Sequence, residues 1–143
     1  MNEYELPNDH GEKWEFEEPT RRYDLEDRLV AFSAQIIDVV EALPNTRAGN
    51  HLAGQLIRSG TSTALNYGEV QAAESRNDFI HKMKIGWKEL KETRVCLRII
   101  DRKKMVADHA LLESTLNETQ QLVSIFAKSI STAQANRNSS STP

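Results

Sequence analysis

From about Asp24 onward, apolar residues return every three or four positions. Leu25, Leu29, Phe32, Ile36, Val39/Val40 and Leu43 form one such series, the spacing of a single face of an α-helix. Asp24 stands where an N-cap belongs, Glu26 and Asp27 follow in the first turn, and Pro44 ends the run. A second helix is predicted from about Thr46 to about Ala73, with Leu52, Leu56, Ile57, Gly60, Thr63, Ala64 and Tyr67 on one side. Gly60 and Ala64 leave room there for a neighbouring helix to approach closely. A third helix opens on Ser75-Arg76-Asn77-Asp78, a capping box with Asp in place of Glu, and runs to about Arg102. Asp108 caps a fourth, whose stripe is Leu112, Leu116, Thr119, Leu122/Val123, Phe126, Ile130 and Ala133.

Helices of roughly 20–28 residues are about 30–40 Å long at 1.5 Å per residue. Links of a few residues force each helix to return alongside the one before it. The expected fold is therefore all-α: an antiparallel up-down-up-down four-helix bundle over residues 23–135. Residues 1–22 have no sustained period and are read as a mobile N-terminal arm, which Trp14 and Phe16 can tack onto a surface. Residues 136–143, Asn-Arg-Asn-Ser-Ser-Ser-Thr-Pro, are read as a disordered tail.

Composition narrows the setting. The 143 residues suit one domain. A lone cysteine, Cys96, allows no internal disulfide and points to a reducing compartment. No apolar run approaches the ~18 residues of a membrane span, and the acidic, polar start does not read as a secretory signal. The expectation is a cytoplasmic protein without membrane contact.

The net charge of −3 argues at first against a nucleic-acid partner. It is unevenly spread. Residues 1–22 hold seven acids against three bases, whereas residues 76–104 hold ten bases against four acids. On a helical projection with Lys84 at zero, Phe79, Met83, Gly86, Leu90, Thr93, Leu97 and Ile100 fall between about 160° and 260° and form the core stripe. Lys84, Lys88, Lys91, Arg94, Arg98 and Arg102 cluster almost opposite, one cation per turn. Such a row can follow a phosphate backbone and release its counterions; the simpler reading is a solvated face. Ile85, Glu89, Glu92, Cys96 and Ile99 fill a third sector of mixed character, which suggests a subunit contact. Within it Cys96 reads as a buried small hydrophobe, and Glu89 and Glu92, one turn apart, as partners for Arg or Lys.

The second helix carries Gln55, Arg58, Ser62, Asn66 and Glu69 opposite its apolar side. Short polar groups bracketed by Arg and Glu suit a hydrogen-bonded seam within or between subunits. They do not suit catalysis: Ser59 and Ser62 have no histidine at a helical neighbour position. A di-iron bundle site needs two Glu-x-x-His motifs and two further Glu; Asp78-x-x-His81 is the nearest approximation and has no second copy. No glycine-rich phosphate loop is present. The residues thus predict neither an enzyme, nor a metal site, nor a cofactor.

Several strings resemble a known family. They are Gln55-Leu56-Ile57-Arg58-Ser59-Gly60-Thr61-Ser62 with Asn66 and Glu69, then Asp78-Phe79-Ile80, and Lys88-Glu89-Leu90-Lys91-Glu92-Thr93. Val39-Val40-Glu41-Ala42-Leu43-Pro44 also fits. Residues 23–132 resemble the bacterial four-helix-bundle proteins named for members encoded in the intervening sequences of 23S rRNA genes. The resemblance implies a bundle that assembles into a ring, usually a homopentamer. The chain is similar, more distantly, to the accessory proteins of diversity-generating retroelements, which bind a reverse transcriptase and nucleic acid through a basic surface. The acidic overall balance places it with the broader family. The expectation is a non-enzymatic homo-oligomeric module that contacts RNA or DNA through the third helix. The alternative is a purely structural or protein-binding oligomer. In either, the third sector and the polar stripe supply the ring contacts, and the acidic arm can fold back over the cations.

Overall fold

A computed structural model describes residues 6–7, 13–14 and 22–140, with side-chain environments over residues 25–136. Four helices carry the fold: α1 Arg22–Ala42, α2 Arg47–Gln71, α3 Arg76–Arg102 and α4 His109–Ser140. Near the N-terminus, β1 Leu6–Pro7 pairs antiparallel with β2 Lys13–Trp14, with Leu6 opposite Trp14. The arm expected over residues 1–22 otherwise lies outside the described residues.

The helix starts follow from local chemistry. Thr46 accepts a hydrogen bond from the Gly49 amide at 3.0 Å and caps α2. Ser75 accepts from the Asp78 amide at 3.0 Å, and Asp78 returns the bond by accepting from the Glu74 amide at 3.0 Å. The reciprocal box is therefore present, closed on the residue before the cap. Asp108 caps α4 by accepting from the Leu111 amide at 3.0 Å. Two ends differ from expectation. The helix of α1 begins at Arg22, which places Asp24 inside the first turn rather than at the cap. At the other terminus α4 runs to Ser140, so residues 136–140 are helical where a disordered tail was expected. That stretch has neither Gly nor Pro, and nothing in it forces the backbone out of a helix before Pro143.

The α3–α4 link is a Schellman turn. The Met105 amide bonds the Ile100 carbonyl at 3.1 Å and the Lys104 amide bonds that of Asp101 at 3.0 Å. Lys104 takes the left-handed conformation, φ 52°, that this turn needs and that glycine usually supplies.

Each helix buries one stripe. Leu29, Phe32, Ile36 and Val39 of α1 meet Leu56, Tyr67 and Val70 of α2, Phe79, Met83, Leu90, Leu97 and Ile100 of α3, and Leu112, Leu122, Phe126 and Ile130 of α4. Neighbours in sequence are neighbours in space, as the up-down-up-down order requires, and α1 with α4 is the loosest adjacent pair. Polar tips also join that pair. Arg28 grips Glu118 through Nε and Nη2 at 2.8 and 2.7 Å and reaches Gln121 at 2.8 Å, and Gln35 donates to Ser114 at 2.8 Å. Gly60 sets the α1–α2 spacing: a Cβ there would lie 2.7 Å from Ile36 Cγ2. Among the described residues, no helix is long and apolar enough to cross a membrane.

Candidate functional site

The core stripe expected for α3 is buried, apart from half-buried Gly86, and two further residues join it. Ile80, which the projection places among the cations, is buried. So is Cys96, whose thiol sits 3.9 Å from the Leu52 carbonyl of α2. Burial pushes the Cys96 thiol up from its ordinary value, and nearby Glu92 adds to this. A buried Cys96 lies inside the bundle, as its reading as a small hydrophobe expects, and offers nothing to a second subunit, which corrects its place among the subunit contacts.

The row of six cations divides. Lys84, Lys88, Arg98 and Arg102 are exposed, and none has an ion pair. From Lys84 to Arg102 they span about 27 Å of helix. Lys91 and Arg94 are half-buried and turn toward neighbours. The Lys91 ammonium lies 3.9 Å from the centroid of the Trp87 ring, a cation–π contact. Arg94 donates to Gln120 of α4 at 2.9 Å. Arg94 sits at the edge of the cationic sector nearest the core stripe, so its reach to α4 follows from its angle. Trp87 is the member that sequence reasoning missed. Its signal was the four-residue spacing to Lys91, which stacks the two side chains on one helix face.

The polar stripe of α2 also divides. Its first half closes on α3: Arg58 donates to Glu92 at 2.6 Å, to Glu89 at 3.2 Å and to Gln55 at 3.3 Å. These carboxylates, Glu92 foremost, hold the exposed guanidinium protonated above its ordinary value. Below them the Ser59 and Thr93 hydroxyls bond each other at 2.9 Å, a buried bond between the two helices. Glu89 and Glu92 thus serve a seam within one chain. Glu69 takes no part in it.

The second half does not close. Asn66 donates to Ser62 at a long 3.3 Å, and Glu69 has no ion pair. Beside them a cavity of about 210 Å³ enters the α2–α3 seam, with Phe126 of α4 among its walls. Ile85 lines its α3 side and is exposed. Among the described residues no group of three or more His, Cys, Asp or Glu side chains converges as metal ligands would.

A further set is apolar. The exposed large hydrophobics are Val30 and Ile37 of α1, Ile57 and Leu65 of α2, and Ile85, Val95 and Ile99 of α3. Leu65, 79% exposed, stands out furthest.

The 23S rRNA-intervening sequence protein family model matches residues 23–128. A search of curated proteins found no match. Among solved structures, the chain is similar to a protein of unknown function from the S23 ribosomal protein family of Bacteroides thetaiotaomicron VPI-5482. The two are 29% identical with a TM-score of 0.67, and the match covers 74% of this chain and 97% of the other.

Proposed function

The chain belongs to the 23S rRNA-intervening sequence protein family, and from that premise we propose that it is a homo-oligomeric bundle that acts by binding, with α3 as its contact for RNA or DNA. The observation that carries the nucleic-acid contact is the row Lys84, Lys88, Arg98 and Arg102, exposed and without ion pairs. Cations not neutralised within the protein keep their full counterion-release term for a polyanion. The polar residues that elsewhere would suggest catalysis, Arg58, Glu89, Glu92, Ser59 and Thr93, are spent on holding α2 to α3.

Gel shifts at two salt concentrations test this. Each phosphate contact contributes roughly 0.7–0.9 to the slope of log K against log salt. The double variant Lys88→Glu, Arg98→Glu should lower that slope by about 1.5 or more and weaken binding to any sequence. Absence of a shift at low salt would leave the alternative, a structural or protein-binding oligomer.

Assembly has its own support. Apart from Ile85 at the cavity, the exposed apolar residues fall into Val30, Ile37, Ile57 and Leu65 on α1 and α2 and Val95 and Ile99 on α3. Two different sets suit a head-to-tail contact, and such a contact forms a ring when its rotation closes. We propose a pentamer. Light scattering should return five times the 16.2 kDa chain mass, and a stable monomer would overturn the ring.

A further inference from the structure

We propose that the open half of the α2–α3 seam is a binding site for a small organic cation with a compact apolar body, an aromatic or branched-alkyl amine. Gly86 of α3 forms part of its wall. A Cβ at that position would lie 2.8 Å from Phe126 Cε2 and 3.0 Å from Thr63 Cγ2, so Phe126 and Thr63 pack directly on the α3 backbone and a larger residue would displace the walls of the cavity. The resulting cavity of about 210 Å³ has the volume of roughly seven waters of the liquid, at about 30 Å³ each. Phe126, Val70 and Ile85 give it apolar walls, which favour an apolar body over solvent.

The polar groups set the sign of the charge. Lys82 lines the cavity, but its ammonium is held by Asp78 at 2.9 Å. Glu69 is at the rim with its carboxylate in no ion pair. The balance at the mouth is therefore negative. An amine pairs with Glu69, whereas an anionic ligand meets a like charge.

A second observation is independent of charge. Thr63 lines the cavity, is 4% exposed, and its hydroxyl has no hydrogen-bond partner. Elsewhere the buried threonines bond back to the preceding turn: Thr93 to Glu89, Thr115 to Leu111 and Thr119 to Thr115. An unpartnered buried hydroxyl is costly, and rotation of the Thr63 side chain toward a ligand polar group in the cavity would recover that loss. This site lies on a different sector of α3 from the cationic row and does not depend on it.

The test is calorimetric titration of the full chain, in its native assembly, with phenethylamine, 2-phenylethanol and phenylacetate. Phenethylamine should bind once per chain with about millimolar affinity or better, in keeping with the size of the probe. The alcohol should bind at least about tenfold more weakly and the carboxylate more weakly still. Glu69→Gln, at an exposed position, should erase the advantage of the amine over the alcohol. Asn66→Trp, which fills the mouth, should abolish binding of both. No saturable heat with phenethylamine would overturn the site. Equal binding of amine and carboxylate, or an unchanged amine affinity in Glu69→Gln, would overturn its chemistry.

Discussion

Single residues in this bundle can be judged by what their surroundings ask of them. Asp78 accepts from the Glu74 amide and pairs with Lys82 at 2.9 Å. The Glu74 amide, with help from Lys82, holds its carboxyl below the ordinary value. A carboxyl lowered on folding contributes stability that is full above its unfolded pKa, about 3.9, and is lost as pH falls through the folded value. Asp78→Ala should therefore cost about 1 kcal/mol at neutral pH, the size of a lost cap. That difference should persist down to about pH 5 and shrink below about pH 4, as followed by urea unfolding across pH. Lys104 is the opposite case. Its left-handed backbone costs a side chain roughly 1–2 kcal/mol. Lys104→Gly should raise stability by about 0.5–1 kcal/mol after the extra entropy of glycine in the unfolded chain is counted. A higher urea midpoint with an unchanged m-value would show this.

At the scale of the helix, the same substitution should have opposite signs at two glycines of α2. Gly54 has nothing within 4 Å of a built Cβ, whereas Gly60 abuts the fully buried Ile36. Gly54→Ala should stabilise by about 0.5–1 kcal/mol through helix propensity. Gly60→Ala should destabilise by about 1–3 kcal/mol, because Ile36 has no free space to move into. Thermal unfolding of both variants decides it. The contrast also shows what the sequence could convey. Periodicity placed every helix, and Thr46, Ser75 and Asp108 all mark true helix starts because capping is a local interaction. The Gly60 approach was legible as well, since a glycine within an apolar stripe is where helices come close. A projection gives an angle but not the distance to the next helix. The angle of the third sector of α3 suggests a subunit contact, yet Glu89, Glu92 and Cys96 face α2 of the same chain. The cavity left no trace in periodicity, because it depends on three helices leaving one gap together.

For the whole molecule the proposed function divides the outer surfaces. In it the exposed cations of α3 face a polyanion, while Leu65 and its apolar companions on α1 and α2 face protein. Leu65→Glu should dissociate the assembly, seen as a fall in mass by light scattering. Helix content by circular dichroism should stay unchanged, because the side chain lies outside the core. Nucleic-acid affinity should then fall as well, since the proposed ring would present several copies of the α3 row at once.

The Arg28 clamp has a consequence for how the molecule breathes. Where α1 meets α4, the two helices approach each other least of the adjacent pairs, and an arginine fork, two glutamine side chains and a serine line the outer edge of the seam. Polar tips lose little when water replaces them. A transient opening of the bundle should therefore begin along this line, with α1 swinging out on its loop before α2 and α3 part. Amide exchange would record the order: protons on α1 should trade with deuterium sooner than those flanking the buried Ser59–Thr93 bond, and Arg28→Ala should hasten the first group while leaving the second alone.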